Sequence, residues 1–561
     1  MIRDALQQTV REALRDADLP EPATIVLDVP KQRDHGDFST PVALQLAKQV
    51  GAKPRDIAER IRAAIDANAQ AFIERVEIAG PGFLNFFLAP VWLSDTLRDV
   101  VLAGSGFGHN DSLAGQHINL EFVSANPTGP LHAGGGRWVA MGDAIANLLA
   151  SQGADVHREY YLNDAGSQLD IFGASLYARY RGEPPPDDGY RGEYLVEMAG
   201  RLRAELGDDV TEEAAREWGY HDIVRQLRED LERIGVHFDT WFSERLLHSR
   251  GDVEDVLRQL GELNVTYEHD GATWLRTTDF GDARDRVLIR SNGTSTYLAN
   301  DLAYHRDKLR RGFTHLIDIW GADHHGQVKS LQSGMHALGY GTDDVPEPEV
   351  ILGQLVRLLR GGQEVRMSKR AGDIITLEDI LDEVDPDVAR MTFLLQGIDS
   401  QQTFDLDVVT AQSMENPVYY VQYAHARVAS IARRAAEAGI ERRAVDTIDL
   451  SVLRHEREEA LLRALSTFPE VVADSAAGRA PQKMSTWVRD FAREFHGFYR
   501  DCRVISDDDM LTQARLWLSE ASRIGLANAL ALLGVNAPDE MARLDDDEDE
   551  DEDEDETAPA Q

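Results

Sequence analysis

Apolar residues recur along this chain with two periods, and the switches between them mark out its parts. Ile2, Leu6, Val10 and Leu14 fall on one face of a helix, and VEIAGPGFLNFFL (76–88) reads as two strands across a Gly-Pro-Gly turn. Gly104, Gly106 and Gly108 then punctuate a linker. HINLEFVS (117–124) is a short apolar strand, after which Trp138, Met141, Ile145, Leu148 and Leu149 repeat at helical spacing up to Gly153. Further strands are predicted at 156–162 and 314–321. This alternation predicts an α/β fold with a Rossmann-like, doubly wound parallel-sheet catalytic domain. Past about residue 407 the strand period disappears, and VQYAHARVASIARRAAEAG and SRIGLANALALLG predict an all-α bundle. Four parts follow: an α+β N-terminal domain (1–108), the α/β domain (109–410), a helical domain (411–543) and an acidic tail (544–561). Within the second part, the charged helices and proline cluster of about 181–281 read as an insertion. There is no internal repeat.

Two glycine-flanked segments carry the candidate chemistry. ANPTGPLHAGGGR (125–137) lies where a strand gives way to a helix, a placement that brings backbone close to phosphate at a helix N-terminus. His132 adds a side chain able to hydrogen-bond a phosphate oxygen. The segment lacks the lysine and Ser/Thr of a P-loop and the spaced glycines of a dinucleotide fingerprint, and Gly134–Gly136 alone also fits a tight turn. GGQEVRMSKRAGD (361–373) carries Arg366, Lys369 and Arg370 between glycines. Such a loop is able to close over a triphosphate, although any one such loop is more often plain solvated surface.

Together these segments resemble the His-Ile-Gly-His and Lys-Met-Ser-Lys-Ser signatures of class I aminoacyl-tRNA synthetases. EFVSANPTGPLH (121–132), REYYLNDAG (158–166), YLANDLAYH (297–305), WGADHHG (320–326) and NPVYYVQYAHAR (416–427) narrow the resemblance to arginyl-tRNA synthetases. PKQRDHGDFST (30–40) and GPGFLNFFL (80–88) extend it toward the start, so that it runs in family order from about residue 1 to 541. Two departures stand out. Gly135 replaces the second histidine of the first signature, and Arg366 and Arg370 replace the outer residues of the second.

The resemblance implies activation of L-arginine by ATP, with Mg²⁺ accompanying the nucleotide, and transfer to the 2′-hydroxyl of the terminal adenosine of tRNA(Arg). It implies catalytic roles for His132, Gly134, Gly135 and Lys369, and an ATP site that also includes Pro130, Met367 and Ser368. Glu121, Ser124 and Asn126 would hold the amino acid's α-amino and carboxylate groups. Asp301 would meet the guanidinium, with Tyr297 one helical turn earlier on the same face and His324 nearby. From the residues alone, a surface salt bridge of Asp301 with His305 or Arg306 is the simpler expectation. Tyr419, Tyr420, Tyr423 and Arg427 are candidates for stacking on unpaired tRNA bases, with a place in the helical core as the alternative for each tyrosine. The family further implies an N-terminal domain that touches the tRNA elbow and activation that awaits tRNA. A shorter nucleotidyltransferase lacks the helical domain, and a non-catalytic paralogue has only Gly135 in its favour.

Composition narrows the classes. No apolar run reaches bilayer length, so no membrane partner is expected and the location is read as cytoplasmic. A lone cysteine, Cys502, excludes an internal disulfide framework and speaks against thiolate zinc; adjacent His324 and His325 on a turn point apart. Hence no zinc, no other protein-bound metal and no tightly bound cofactor is expected, and the chain is expected to act as a monomer. The formal net charge is −40, of which the unbroken acidic run 545–556 supplies twelve, and seven lysines stand against fifty-one arginines. This balance fits a salty cytoplasm, where at ~1 M salt the Debye length of about 3 Å removes long-range repulsion of tRNA. An ordinary acidic protein with one basic face is the plainer reading.

Overall fold

The computed structural model describes residues 2–30, 32–342, 345–365, 375–410 and 416–541. It divides into two compact units. Met1–Phe107, Val428–Phe468 and Arg493–Gly525 form the first; Gly108–Arg427, Pro469–Ala492 and the chain from Leu526 on form the second.

In the first unit, the helix Ile2–Asp16 buries Leu6, Val10 and Leu14 as its spacing predicts. The predicted hairpin is Ile73–Ala79 against Phe83–Leu88, with Ala79 opposite Phe83, and Phe38–Thr40 adds a third antiparallel strand. Gly82 has φ 144, and a Cβ there would meet the backbone of Pro54 at 2.8 Å, so both conformation and space require glycine. Helical segments from the C-terminal half complete this unit. Phe468 stacks on Phe107 with ring centroids 5.3 Å apart, and Arg463 pairs with Asp37 while lying over the Trp92 ring.

The second unit is built on a parallel sheet of five strands: β1 (His117–Glu121), β2 (Asp155–Leu162), β3 (Thr240–Ser243), β4 (His315–Gly321) and β5 (Glu349–Gly353). Their spatial order is β3-β2-β1-β4-β5, every neighbouring pair parallel. The chain winds one way from β1 to β3, then crosses to β4 beside β1 and continues outward. The order therefore reverses between β1 and β4, and a crevice opens there at the carboxyl ends of the strands. Helix α1 (Gly135–Ser151) follows β1 and packs on the sheet through Met141, Ile145, Leu148 and Leu149, all at most 1% exposed. Helix α2 (Tyr297–Arg310) leads into β4.

Two expectations are corrected. The stretch 181–281 is not one inserted block, because β3 inside it is the edge strand of the central sheet, paired through Tyr160 with Trp241. Four residues are too few to display a period, so TWFS carries no strand signal of its own. The strand expected to run to Ser124 stops at Glu121, because Val123 (φ 69) and Ser124 (φ 37) turn into the left-handed region. A separate three-stranded antiparallel sheet spans Thr266–His269, Ala272–Leu275 and Arg286–Ile289. Beyond Gln402–Asp405 there is no strand among the described residues, and long helices take over, among them Pro417–Glu437 and Asp509–Leu533.

Candidate active site

The loop leaving β1 forms one wall of the crevice. Val123 is β-branched, and a left-handed conformation there costs about 1–3 kcal/mol, a strain typical of functional sites. Its effect is to aim Ser124: the hydroxyl donates to Glu121 Oε1 at 2.9 Å while accepting the Tyr161 amide at 3.0 Å. Farther on, Pro130 is buried and His132 half-buried. The Gly134 amide donates to His132 Nδ1 at 2.9 Å, so the ring carries its hydrogen on Nε2. A cavity of about 340 Å³ opens here, lined by His132, Gly134, Gly135, Trp138, Leu355 and Val356, at the N-terminus of α1. The glycines are needed for space rather than for a turn. A Cβ on Gly134 would press on the His132 ring at 3.1 Å, and one on Gly136 on Phe393 at 2.8 Å.

The second glycine segment reaches the same cavity through its flanks. Met367, Ser368 and Lys369 lie outside the described residues. Just after them, Ile375 accepts the Ala133 amide at 3.0 Å, Leu377 donates to the Leu131 carbonyl at 2.7 Å, and Thr376 bridges to His132. Ahead of them, the strand Val356–Arg360 starts in the cavity lining. Arg137 fixes this side: fully buried on α1, it donates to the carbonyls of Gln354 (3.2 Å), Ser400 (2.7 Å) and Gly397 (2.6 Å). Both ends of the lysine-bearing loop are thus tied to the histidine-bearing one.

An acidic recess lies at the carboxyl ends of β1 and β2. Asp301 projects from the second turn of α2, with Tyr297 one turn before it and 62% exposed. The salt bridge expected from sequence does not form. His305 turns its Nε2 to Asp318 at 2.8 Å and its Nδ1 to the Asp301 backbone carbonyl at 2.7 Å, whereas Arg306 bonds Gln259 and Asp255. Since both His305 nitrogens face acceptors, the ring is an imidazolium, and Asp318 holds its pKa up against burial. The Asp301 carboxylate is half-buried and, among the described residues, makes no hydrogen bond or ion pair. Burial pushes its pKa up to about 7, and Glu121 and Glu244 add to the rise.

Sequence reasoning missed three neighbours of this recess. Glu244, 5% exposed, accepts from Asn300 at 2.7 Å, and burial raises its pKa. The Tyr161 phenol faces Glu244 and Asp301, whose charges add to burial in raising its pKa. Lys308, completely buried, donates to Glu121 Oε2 at 2.8 Å and Asp318 Oδ1 at 2.7 Å. None sits in a periodic or glycine-rich context, so only packing reveals them. Asn126 donates to Gln168 at 2.8 Å. His324 is exposed just past β4, its ring 6.1 Å from Trp320. Among the described residues no group of three or more His, Cys, Asp or Glu is placed to hold a metal ion. On the helix Pro417–Glu437, Tyr419 stacks with Tyr423 at 6.3 Å and Arg427 covers Tyr423 at 4.6 Å. Tyr423 is buried, while Tyr419 and Tyr420 remain half-exposed.

A nucleotide-sized cavity at a helix N-terminus, beside an unneutralised acidic recess, suits the joining of a phosphate compound to a cationic one. Comparison with known proteins agrees. Residues 4–88 match the arginyl tRNA synthetase N terminal domain, 198–407 the catalytic domain of class I (R) tRNA synthetases, and 421–541 the DALR anticodon binding domain. The arginine–tRNA ligase of Bacillus licheniformis is 43% identical over 556 residues, covering 96% of this chain and 99% of its own. That of Syntrophotalea carbinolica is 46% identical over 553 residues, with the same coverage of both chains. The structure of Thermus thermophilus arginyl-tRNA synthetase shares the fold, with a TM-score of 0.75 at 23% identity over 96% of this chain and all of the other. Among the described residues no helix is long and apolar enough to cross a membrane. With the sheet order, the two converging loops and full-length relatives in agreement, this chain belongs to the arginyl-tRNA synthetase family of class I enzymes.

Proposed function

We propose that this arginine–tRNA ligase works at the crevice between β1 and β4, with tRNA(Arg), L-arginine and ATP as substrates and Mg²⁺ accompanying the ATP. In the first step the arginine carboxylate attacks the α-phosphate in line and pyrophosphate leaves. In the second, the 2′-hydroxyl of the terminal adenosine attacks the carbonyl of the adenylate and AMP leaves. Neither step needs a covalent enzyme intermediate, so the protein's work is positioning and charge stabilisation. His132 donates from Nε2 to the phosphate chain, Gly134 and Gly135 admit the nucleotide against Pro130, and Lys369, with Met367 and Ser368, closes over the phosphates. Glu121, Ser124 and Asn126 take the α-amino and carboxylate groups, while Asp301 and Tyr297 face the guanidinium and His324 borders the pocket. Tyr419, Tyr420, Tyr423 and Arg427 form the tRNA-facing start of the helical domain. The chain acts as a cytoplasmic monomer.

The observation that carries this reading is the Asp301 carboxylate, which among the described residues bonds no cation, since His305 turns to Asp318 and Lys308 to Glu121 and Asp318. A planar cation supplies the missing partner with two parallel hydrogen bonds, a geometry that lysine's point charge does not reproduce. ATP–pyrophosphate exchange tests the reading: exchange is expected only when arginine and tRNA are both present. Exchange with another amino acid, or none under any condition, would overturn it.

A pH dependence follows from the raised Asp301. Below about pH 7 its carboxyl is largely protonated in the empty enzyme and offers no charge; above that it is anionic. Arginine binding favours the ionised form, so the arginine KM falls as pH rises from about 6 to 8. Measured KM–pH profiles are expected to show this slope in the unmodified enzyme and to lose it in Asp301→Asn.

A further inference from the structure

Four ionisable groups are packed together beneath the crevice, two acids and two bases: the carboxyl groups of Glu121 and Asp318 bond Lys308 and His305. All four are at most 7% exposed. Lys308 connects the two strands on either side of the crevice, reaching Glu121 at the end of β1 and Asp318 within β4, with its ammonium 4.4 Å from the centre of the Tyr304 ring. Glu121 is the carboxylate that Ser124 and Lys308 hold by one oxygen each. Its remaining lone pairs are what an α-ammonium group has to use.

We infer that Lys308 is a positioning residue for amino-acid binding: it acts through Glu121, aiming that carboxylate at the arginine α-ammonium and keeping it charged, without touching substrate. The inference rests on the placing of Glu121 in the arginine site proposed above. Its physical ground is that a carboxylate removed from water tends to take up a proton unless a cation is fixed beside it. Burial does push the Glu121 carboxyl up, against the pull of Lys308. The titratable and charged groups that face Glu121 are Lys308, Asp318, His305, Asp301, Tyr161 and Tyr304. Of these, Lys308 alone bonds it with a positive charge.

Removing Lys308 alone leaves two buried carboxylates for one imidazolium, a change that threatens the fold. The test is therefore the paired change Lys308→Met with Asp318→Asn, which preserves the balance of Glu121 against His305. In tRNA-dependent pyrophosphate exchange, the arginine KM is expected to rise about tenfold with the ATP KM unchanged. In an Asp301→Asn background, where Asp301 no longer titrates, the residual acid limb of kcat/KM for arginine is expected to move up by about one pH unit, because Glu121 without its ammonium protonates more readily. A purely structural role would lower the folded fraction or raise both KM values together and leave the acid limb in place; that result overturns the inference. Glu121→Gln separates the two levels. If it leaves the arginine KM unchanged, the site assignment fails; if it raises that KM while the paired variant does not, only the role of Lys308 fails. Should the paired variant not fold, the unmodified enzyme still decides. With ¹³C-carboxyl-labelled glutamate, the NMR signal missing from Glu121→Gln is expected to remain that of an ionised group at pH 7, and a protonated signal there overturns the inference.

Discussion

Asp301→Ala is expected to raise the arginine KM about 100-fold in tRNA-dependent pyrophosphate exchange, with the ATP KM and the circular dichroism spectrum unchanged. Among the described residues the carboxylate bonds no other group, so its removal leaves no orphaned partner there and the fold has little to lose. What disappears is a charge-assisted pair with the guanidinium in a largely desolvated recess. Truncating one side of such a pair costs about 2–5 kcal/mol, and about 3 kcal/mol corresponds to roughly 100-fold in affinity. Asp301→Asn is expected to lose nearly as much, since a neutral amide keeps the shape but not the charge, and Asp301→Glu to fall between. A near-normal arginine KM and rate in Asp301→Ala would remove this residue from the pocket.

Lys369→Ala is expected to act on the other axis. On the proposed function this cation meets the negative charge that develops on the phosphates in the transition state, so the loss is expected to fall on kcat. Removing one preorganised stabiliser of that kind costs about 2.7–4 kcal/mol, or 10²–10³ in rate. The ties between Ile375–Leu377 and Leu131–Ala133 keep the loop's base attached to the histidine segment in the variant, so arginine binding is expected to stay near normal. Single-turnover formation of arginyl-adenylate with tRNA present separates the two. A raised arginine KM at unchanged rate would move Lys369 out of the transition state. Lys369→Arg keeps the charge with a different reach and is expected to retain part of the rate.

Much of this was legible from residue order. Period and glycine placement gave β1, β2, β4, α1 and the N-terminal hairpin, because each is long enough to show its face or ends on a chain-turning residue. β3 and β5 were not: TWFS has four residues, and EVILG, although as long as β1, leads into no glycine-rich helix start that would mark it. The site divides in the same way. His132 and Asp301 stood in text resembling the family, yet the residues alone preferred a surface ion pair for Asp301. Only the tertiary packing shows His305 turned to Asp318 and Arg306 to Asp255, leaving that carboxylate without an ion pair among the described residues. Lys308 was invisible for a related reason. A lysine in a charged helix reads as solvated surface, and its complete burial depends on carboxylates 187 and 10 residues away.

The sealed quartet of charges also bears on how this enzyme can change over generations. Losing Lys308 or Asp318, the two members with no exposure, strands an opposite charge away from water, at a cost of about 3–5 kcal/mol, which is a large fraction of a typical domain's stability. A lineage is thus barred from trading Lys308 or Asp318 singly and has to exchange them as a compensating pair. Drift at Lys308 and Asp318 should be correlated among descendants, even where the surrounding surface diverges freely.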